Sequence, residues 1–298
     1  MSLNIRIIKE HAARDIMTVL TVSSLVMLVI MFVGLYLKSE PILATHSLRD
    51  LLTDSSWKPS DNHFGFFPFL MGSVWVTLFA ILLALPISLL VALFLTEYSH
   101  SRVKKFVFPV LDILAGFPSV IFGVWGTLVI VPWVSHTIAP HFVENNSGYT
   151  VLAAGIVVGV SILPLLISLF IELFNNVSQD YREASMALGA TKWQTIKRVL
   201  LRKSSPGIIA STALAISRIL GETIAVLMVC GNVPSVPHSL LDACYPIPAL
   251  IANNYGEMLS VPLYESALMF AAFILFFVVL IFNLISRIVL RRIERLSE

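Results

Sequence analysis

Arg218 and Glu222 place two full charges inside "ISRILGETIAVLMV", residues 216–229, a stretch otherwise apolar enough to sit in lipid. An ionisable side chain at a bilayer centre costs about 2.5–3.5 kcal/mol on insertion scales, so each must face a protein interior or water. Two chemistries fit. Four residues apart on a helix, the pair shares one face and can form an internal ion pair that fixes packing. Alternatively, Arg218 meets a passing anion. Guanidinium offers a planar fork of donors suited to the tetrahedral oxygens of phosphate or sulfate, and it stays charged at physiological pH. Glu222 would then moderate the attraction, because conduction requires sites that release what they bind. One arginine alone does not separate phosphate from sulfate.

Other chemistry is sparse. Cys230 and Cys244 show neither metal-ligand spacing nor a disulfide framework, and they read as unpaired thiols. No GxxxxGK[ST] run is present, so any ATP-driven work needs an ATPase on another chain. The apolar segments hold no convergent His, Cys or paired-carboxylate constellation, which argues against an intramembrane enzyme. A net charge of +2 does not supply the dense basic face that nucleic acid requires.

The elements that must position Arg218 and Glu222 follow from composition. Of 298 residues, 57% are hydrophobic and 13% charged, and the mean hydropathy is +0.87. So much apolar surface predicts an all-α integral membrane protein. A crossing helix needs about 20 predominantly apolar residues, and six segments qualify: 16–37, 66–95, 106–134, 150–171, 206–230 and 267–286. The first follows Arg6, Lys9 and Arg14 but is too long for a signal peptide's apolar region, so it reads as an uncleaved span. The chain divides into residues 1–65, with that span and an external loop, 66–290 as the main transmembrane unit, and a tail at 291–298. Sixteen Lys and Arg fall on one side of such spans, whereas the other side holds Lys38, Arg49 and Lys58. The positive-inside rule then puts both termini in the cytoplasm.

Pro and Gly interrupt the spans at Pro86, Pro109, Gly116, Pro118, Gly123, Gly126 and Pro164, most densely in "LAGFPSVIFGVWG", residues 114–126. Such residues persist where neighbouring protein or a watery cavity satisfies the freed backbone groups, so bent helices lining a pathway are expected. The longest cytoplasmic connection, residues 175–207, reads as helix, turn, helix. Glu183–Leu188 forms a short helix that Gly189 ends in a left-handed conformation. Thr191 and Gln194 have capping-box spacing, and Ser205 before Pro206 predicts the start of the fifth span.

"EASMALGATKWQTIKRVLL" is similar to the EAA loop of bacterial ABC-importer permeases, in which Glu-Ala-Ala, three residues and Gly form a coupling helix that fits a groove in the ATPase. Glu183, Ala184 and Gly189 match that motif. Ser185 replaces the third small residue, and Arg202 stands where the family usually has proline after Leu201. "PGIIASTALAISRILGETIAVLMVCGN", residues 206–232, resembles the fifth span of phosphate-specific ABC permeases, with Arg218, Gly221, Glu222 and Thr223 intact; residues 112–126 resemble that family's third span. "ETIAVLMVCGN" is closer to the PstC-type chain than to its PstA-type partner. The resemblance extends from about Phe66 to Arg287.

The resemblance implies a type I ABC importer permease fold with six transmembrane helices in the bacterial cytoplasmic membrane. It implies a PstA-type permease partner, a PstB-type ATPase dimer that binds ATP and Mg, and a soluble PstS-type phosphate-binding protein. This chain itself would need no cofactor. It associates Arg218 and Glu222 with phosphate passage. Asp112 occupies an acidic position in the resemblance, but like charge argues against its holding phosphate, and pairing with Lys104 or Lys105 is an alternative. The binding protein would dock on external loops including the proline-rich "GNVPSVPHSLLDACYPIPAL". Two rivals remain: a permease for sulfate or molybdate, and a secondary transporter or channel in which Arg218 and Glu222 form a gating pair.

Overall fold

A computed structural model describes residues 2–143, 146–256, 261 and 263–297, with the side chains of 2–10 and 292–297 excepted. Arg6, Lys9, Arg292 and Arg295, which entered the charge tally, lie outside the described side chains. In chain order the helices are α1 (Ser2–Thr45), α2 (Leu48–Thr53), α3 (Phe67–Leu93), α4 (Ser101–Ala115), α5 (Ser119–Trp125), α6 (Val131–Trp133) and α7 (Val151–Asn175). They continue with α8 (Gln179–Ala187), α9 (Lys192–Thr195), α10 (Leu201–Leu220), α11 (Ile224–Val229), α12 (Ile247–Asn254) and α13 (Tyr264–Ser297). A two-stranded antiparallel hairpin, β1 (Trp57–Lys58) and β2 (His63–Phe64), lies between α2 and α3.

Five continuous helices among the described residues are long and apolar enough to cross a membrane: His11–Thr45, Phe67–Tyr98, Ser119–His141, Val151–Asn175 and Tyr264–Arg291. Two of the six expected spans differ in form. The third is not one helix over 106–134: α4 stops at Ala115, Gly116–Pro118 interrupts it, and a fresh helical stretch runs from Ser119 to His141. Pro118 supplies the reason, because it restrains Phe117 to extended backbone and offers no N–H to α4. The fifth, expected as 206–230, is absent from the set. α10 ends at Leu220, α11 restarts at Ile224, and Arg202, Lys203 and Arg218 lower the apolarity of α10.

Small residues set the tightest packing. Ala80 and Ala84 of α3 and Ala153, Ala154 and Val157 of α7 are buried with almost no exposure. A Cβ on Gly155 would sit 2.4 Å from Phe79 Cδ1, and one on Gly159 3.2 Å from the Ala80 carbonyl oxygen. In lipid, where no hydrophobic force separates helix from solvent, such close approach supplies the association energy. A second cluster is aromatic. The Trp57 ring lies 4.9 Å from Phe69 and 5.3 Å from Phe66. Ile42, Tyr264 and Phe270 complete this cluster, which joins the end of α1 to α13.

Candidate functional site

Arg218 occupies the last turn of α10, where a cation complements the negative end of the helix dipole. The helix then tightens and stops. Gly221 N–H donates to the Arg218 carbonyl at 3.2 Å and Glu222 N–H to the Ile219 carbonyl at 3.0 Å, both three-residue closures. Thr223 Oγ1 donates to the Gly221 carbonyl at 3.2 Å, and α11 begins at the next residue. Arg218 is exposed and Glu222 half-buried, and no ion pair joins them among the described residues. The expected shared helix face fails for a simple reason: i,i+4 geometry requires a continuous helix, and this one ends between them. Ser217, beside Arg218, is instead tied to α13 by Asn283 Nδ2 at 3.0 Å.

The interruption in the third span mirrors this one. Gly116 N–H donates to the Asp112 carbonyl at 3.1 Å, Phe117 N–H to the Leu114 carbonyl at 3.3 Å, and α5 begins two residues later. α5 then packs on α11 through small residues. A Cβ on Gly123 would lie 2.6 Å from Met228 Sδ and 3.2 Å from Ala225 Cα. Thr127 Oγ1 donates to the Met228 carbonyl at 3.2 Å. The helices that follow the two breaks thus pack against each other. Peptide groups freed inside a membrane helix persist only where protein or water satisfies them.

The loop between α7 and α10 has the expected local grammar with one extension and one correction. α8 starts at Gln179 rather than Glu183, because Ser178 accepts from Asp180 N–H as N-cap. Gly189 is left-handed at φ +86°. The Thr191/Gln194 capping box is formed in both directions. Glu183, Ala184 and Gly189 are all exposed, as are Met186, Leu188 and Trp193. Ser185, in place of a third small apolar residue, lies 3.0 Å from Thr195 Oγ1 and ties α8 to α9. No helix starts at Ser205–Pro206. α9 runs through a π-helical turn, Ile196–Leu200, into α10, and Pro206 lies within it. Pro206 has no N–H for the Arg202 carbonyl, and Ser205 Oγ donates there instead at 2.9 Å.

Sequence reasoning missed what anchors this loop. Arg182 Nε donates to Glu97 Oε1 at 3.0 Å, Nη1 to the Val177 carbonyl at 2.6 Å and Nη2 to the Phe174 carbonyl at 2.8 Å. Lys192 Nζ donates to the Glu97 carbonyl and lies 4.6 Å from the centre of the Tyr98 ring. These groups line a cavity of about 470 Å³ at the α7 C-terminal end. At the other end of α7, Tyr149, Asn146, His238 and Asp242 line one of about 720 Å³. Asp112 does not pair with Lys104, which donates to the Thr96 carbonyl at 3.4 Å. Asp112 instead lines a cleft with Ser168, Glu172 and Asn175.

The family described as "Binding-protein-dependent transport system inner membrane component" matches residues 84–296. A probable phosphate transport system permease protein PstC of Methanocaldococcus jannaschii is 32% identical over 93% of this chain and 94% of its own length. The phosphate transport system permease protein PstC of Xylella fastidiosa is 33% identical over 81% of this chain and 78% of its own. A probable ABC transporter permease protein, YqgH of Bacillus subtilis, is 34% identical over 80% of this chain and 78% of its own. Among solved structures, the inward-facing MetNI methionine ABC transporter has a TM-score of 0.57 at 17% identity, covering 74% of this chain and 93% of that one. A bacterial alginate ABC transporter with its alginate-bound periplasmic protein gives 0.58 at 16%, covering 76% and 79%.

Proposed function

The chain belongs to the family of binding-protein-dependent transport system inner membrane components, and from that premise we propose that it is the permease subunit of an ATP-driven importer of inorganic phosphate. It is a multi-pass membrane protein, and ATP is hydrolysed by a separate subunit of such importers. The observation that carries the substrate is its similarity, over 93% of its length, to a relative named as a phosphate permease. Arg218 fits that substrate. It stands exposed at a helix interruption, with no carboxylate paired to it among the described residues, and its fork of donors matches a tetrahedral oxyanion. That geometry also weakens the gating-pair rival, which needs Arg218 and Glu222 in contact.

In this reading residues 66–290 form the conducting unit beside a related PstA-type chain. The loop 178–195 and both termini face the cytoplasm, following the Lys and Arg asymmetry. Exposed Glu183, Ala184, Met186, Leu188 and Trp193 dock on a PstB-type ATPase dimer that binds ATP and Mg. A PstS-type phosphate-binding protein delivers substrate on the opposite face. α9, the π turn and α10 form one rod from Lys192 to Leu220, roughly 43 Å at 1.5 Å per residue. Movement at the docking loop therefore arrives at Arg218, and Glu222 keeps the anion from being held too long.

The test is ATP-driven uptake of radiolabelled phosphate into vesicles carrying the assembled transporter, with sulfate as competitor. Arg218→Ala is expected to lose uptake while still copurifying with its partners. Uptake that survives this substitution overturns the substrate-facing role, and uptake suppressed by sulfate reassigns the importer to another oxyanion.

A further inference from the structure

Cys230 and Cys244 are both wholly buried, at the end of α11 and in the segment leading to α12. Cys244 N–H donates to the Cys230 carbonyl at 2.9 Å, and Gly231 and Cys244 form an isolated parallel bridge. This bond makes the two cysteines backbone neighbours, as a disulfide requires of residues whose Cα atoms it holds about 4.4–6.8 Å apart. Both thiols are free and buried as neighbours, and the Cys230 Sγ–H donates to Asn232 Oδ1 at 3.0 Å.

The surroundings leave the two sulfurs little freedom to separate. Gly231 and Asn232 are successive left-handed residues, at φ +89° and +54°. A Cβ on Gly231 would lie 2.8 Å from Ala243 Cβ and 3.0 Å from the Tyr149 carbonyl oxygen. Asn232 Nδ2 donates to the Leu227 carbonyl at 2.9 Å. Val151 N–H donates to the Asp242 carbonyl at 2.9 Å and Leu152 N–H to the Leu240 carbonyl at 2.8 Å. Residues 240–244 therefore brace the start of α7 and the end of α11 at once.

We propose that Cys230 and Cys244 form a disulfide that closes residues 231–243 into a ring and pins the far end of α11 beside the start of α7. Each thiol gives up a proton and the pair gives up two electrons. The acceptor is another disulfide, of a small molecule or a protein, which is cleaved to two thiols. Burial slows this exchange in the folded chain, so the bond forms most readily as the loop folds. With its far end pinned, α11 turns only at the Gly221–Thr223 break, and the oxidised transporter moves substrate past Arg218 more slowly than the reduced one.

Membranes carrying the assembled transporter are divided. One half is acid-quenched and alkylated as harvested, and the other is first incubated with dithiodipyridine; both are then mapped without reductant. The chain has two cysteines, so the expected result is loss of both free thiols and a single linked peptide that dithiothreitol separates. Two modified cysteines in both halves overturn the proposal. The pinning rests on the transport reading and has its own readout: dithiothreitol is expected to raise ATP-driven phosphate uptake by the native protein and not by the Cys230→Ser, Cys244→Ser variant. An equal response in both overturns the pinning. Absence of phosphate uptake from every form, with the linked peptide present, counts against the phosphate reading and leaves the disulfide standing.

Discussion

Arg182 is the residue on which the orientation of the docking loop depends. Its guanidinium and the Glu97 carboxylate are 12% and 11% exposed, and its donors reach the far end of the Phe67–Tyr98 helix, the last turn of α7 at Phe174 and the Val177 carbonyl just past it. A pair so withdrawn from water offers little net stabilisation over an apolar replacement, yet removing one partner strands the other. Arg182→Ala is therefore expected to destabilise the protein by about 3 kcal/mol, measured as a fall in the thermal midpoint in detergent. Replacing Glu97 by Ala in the same chain is expected to recover part of that loss. If the losses from Arg182→Ala and Glu97→Ala alone add up to the loss in the double variant, the contact carries no coupling. Gly189 and the Thr191/Gln194 box were legible in sequence because each involves neighbours within a turn. Arg182 and Glu97 were not, because they stand 85 positions apart and no local period connects them.

At the scale of elements, the break between α10 and α11 matters more than either short helix. Gly116 and Pro118 marked the third span as interrupted, but Gly221 did not mark the fifth, because glycine is common in membrane helices and the apolar run around it satisfied the length rule. The structure shows what that run concealed: a short helix, α11, packed against the start of the Ser119–His141 helix at Gly123 and Gly126. These glycines differ in how they resist a methyl group. On Gly123 a Cβ would meet the flexible end of Met228 at 2.6 Å, which can swing away, and Ala225 Cα at 3.2 Å, a milder crowding that a shift of a few tenths of an ångström relieves. On Gly126 it would lie 2.5 Å from Val157 Cγ2 and 2.8 Å from Val229 Cγ1, and β-branched side chains have few alternative rotamers. Gly126→Ala is expected to cost about 1–3 kcal/mol through overpacking, and Gly123→Ala clearly less. Thermal midpoints of the two variants decide it, and the reverse order would mean that α7 and α11 yield more readily than Met228.

For the molecule as a whole, the question is whether binding at one end and passage at the other are joined by a rod or only by proximity. α9 and α10 were expected to be separated near Pro206, and their fusion through the π turn makes one helical body from Lys192 to Leu220. Two substitutions separate docking from transmission. Gly189 is left-handed with open space around its Cβ position, so Gly189→Val strains only the backbone and changes the shape of the docking loop. That variant is expected to lose copurification with the ATPase. Ala210 is exposed on α10, between Pro206 and Arg218. Proline there removes an N–H, collides with the preceding turn and bends the rod, at a cost of about 3 kcal/mol in a water-exposed helix. Ala210→Pro is expected to keep the ATPase bound and hydrolysing ATP while phosphate uptake falls. Uptake that keeps pace with hydrolysis in this variant would mean that α10 does not carry the motion. The load would then pass through Arg182 to α3 and α7, the other path by which the docking loop reaches the bundle.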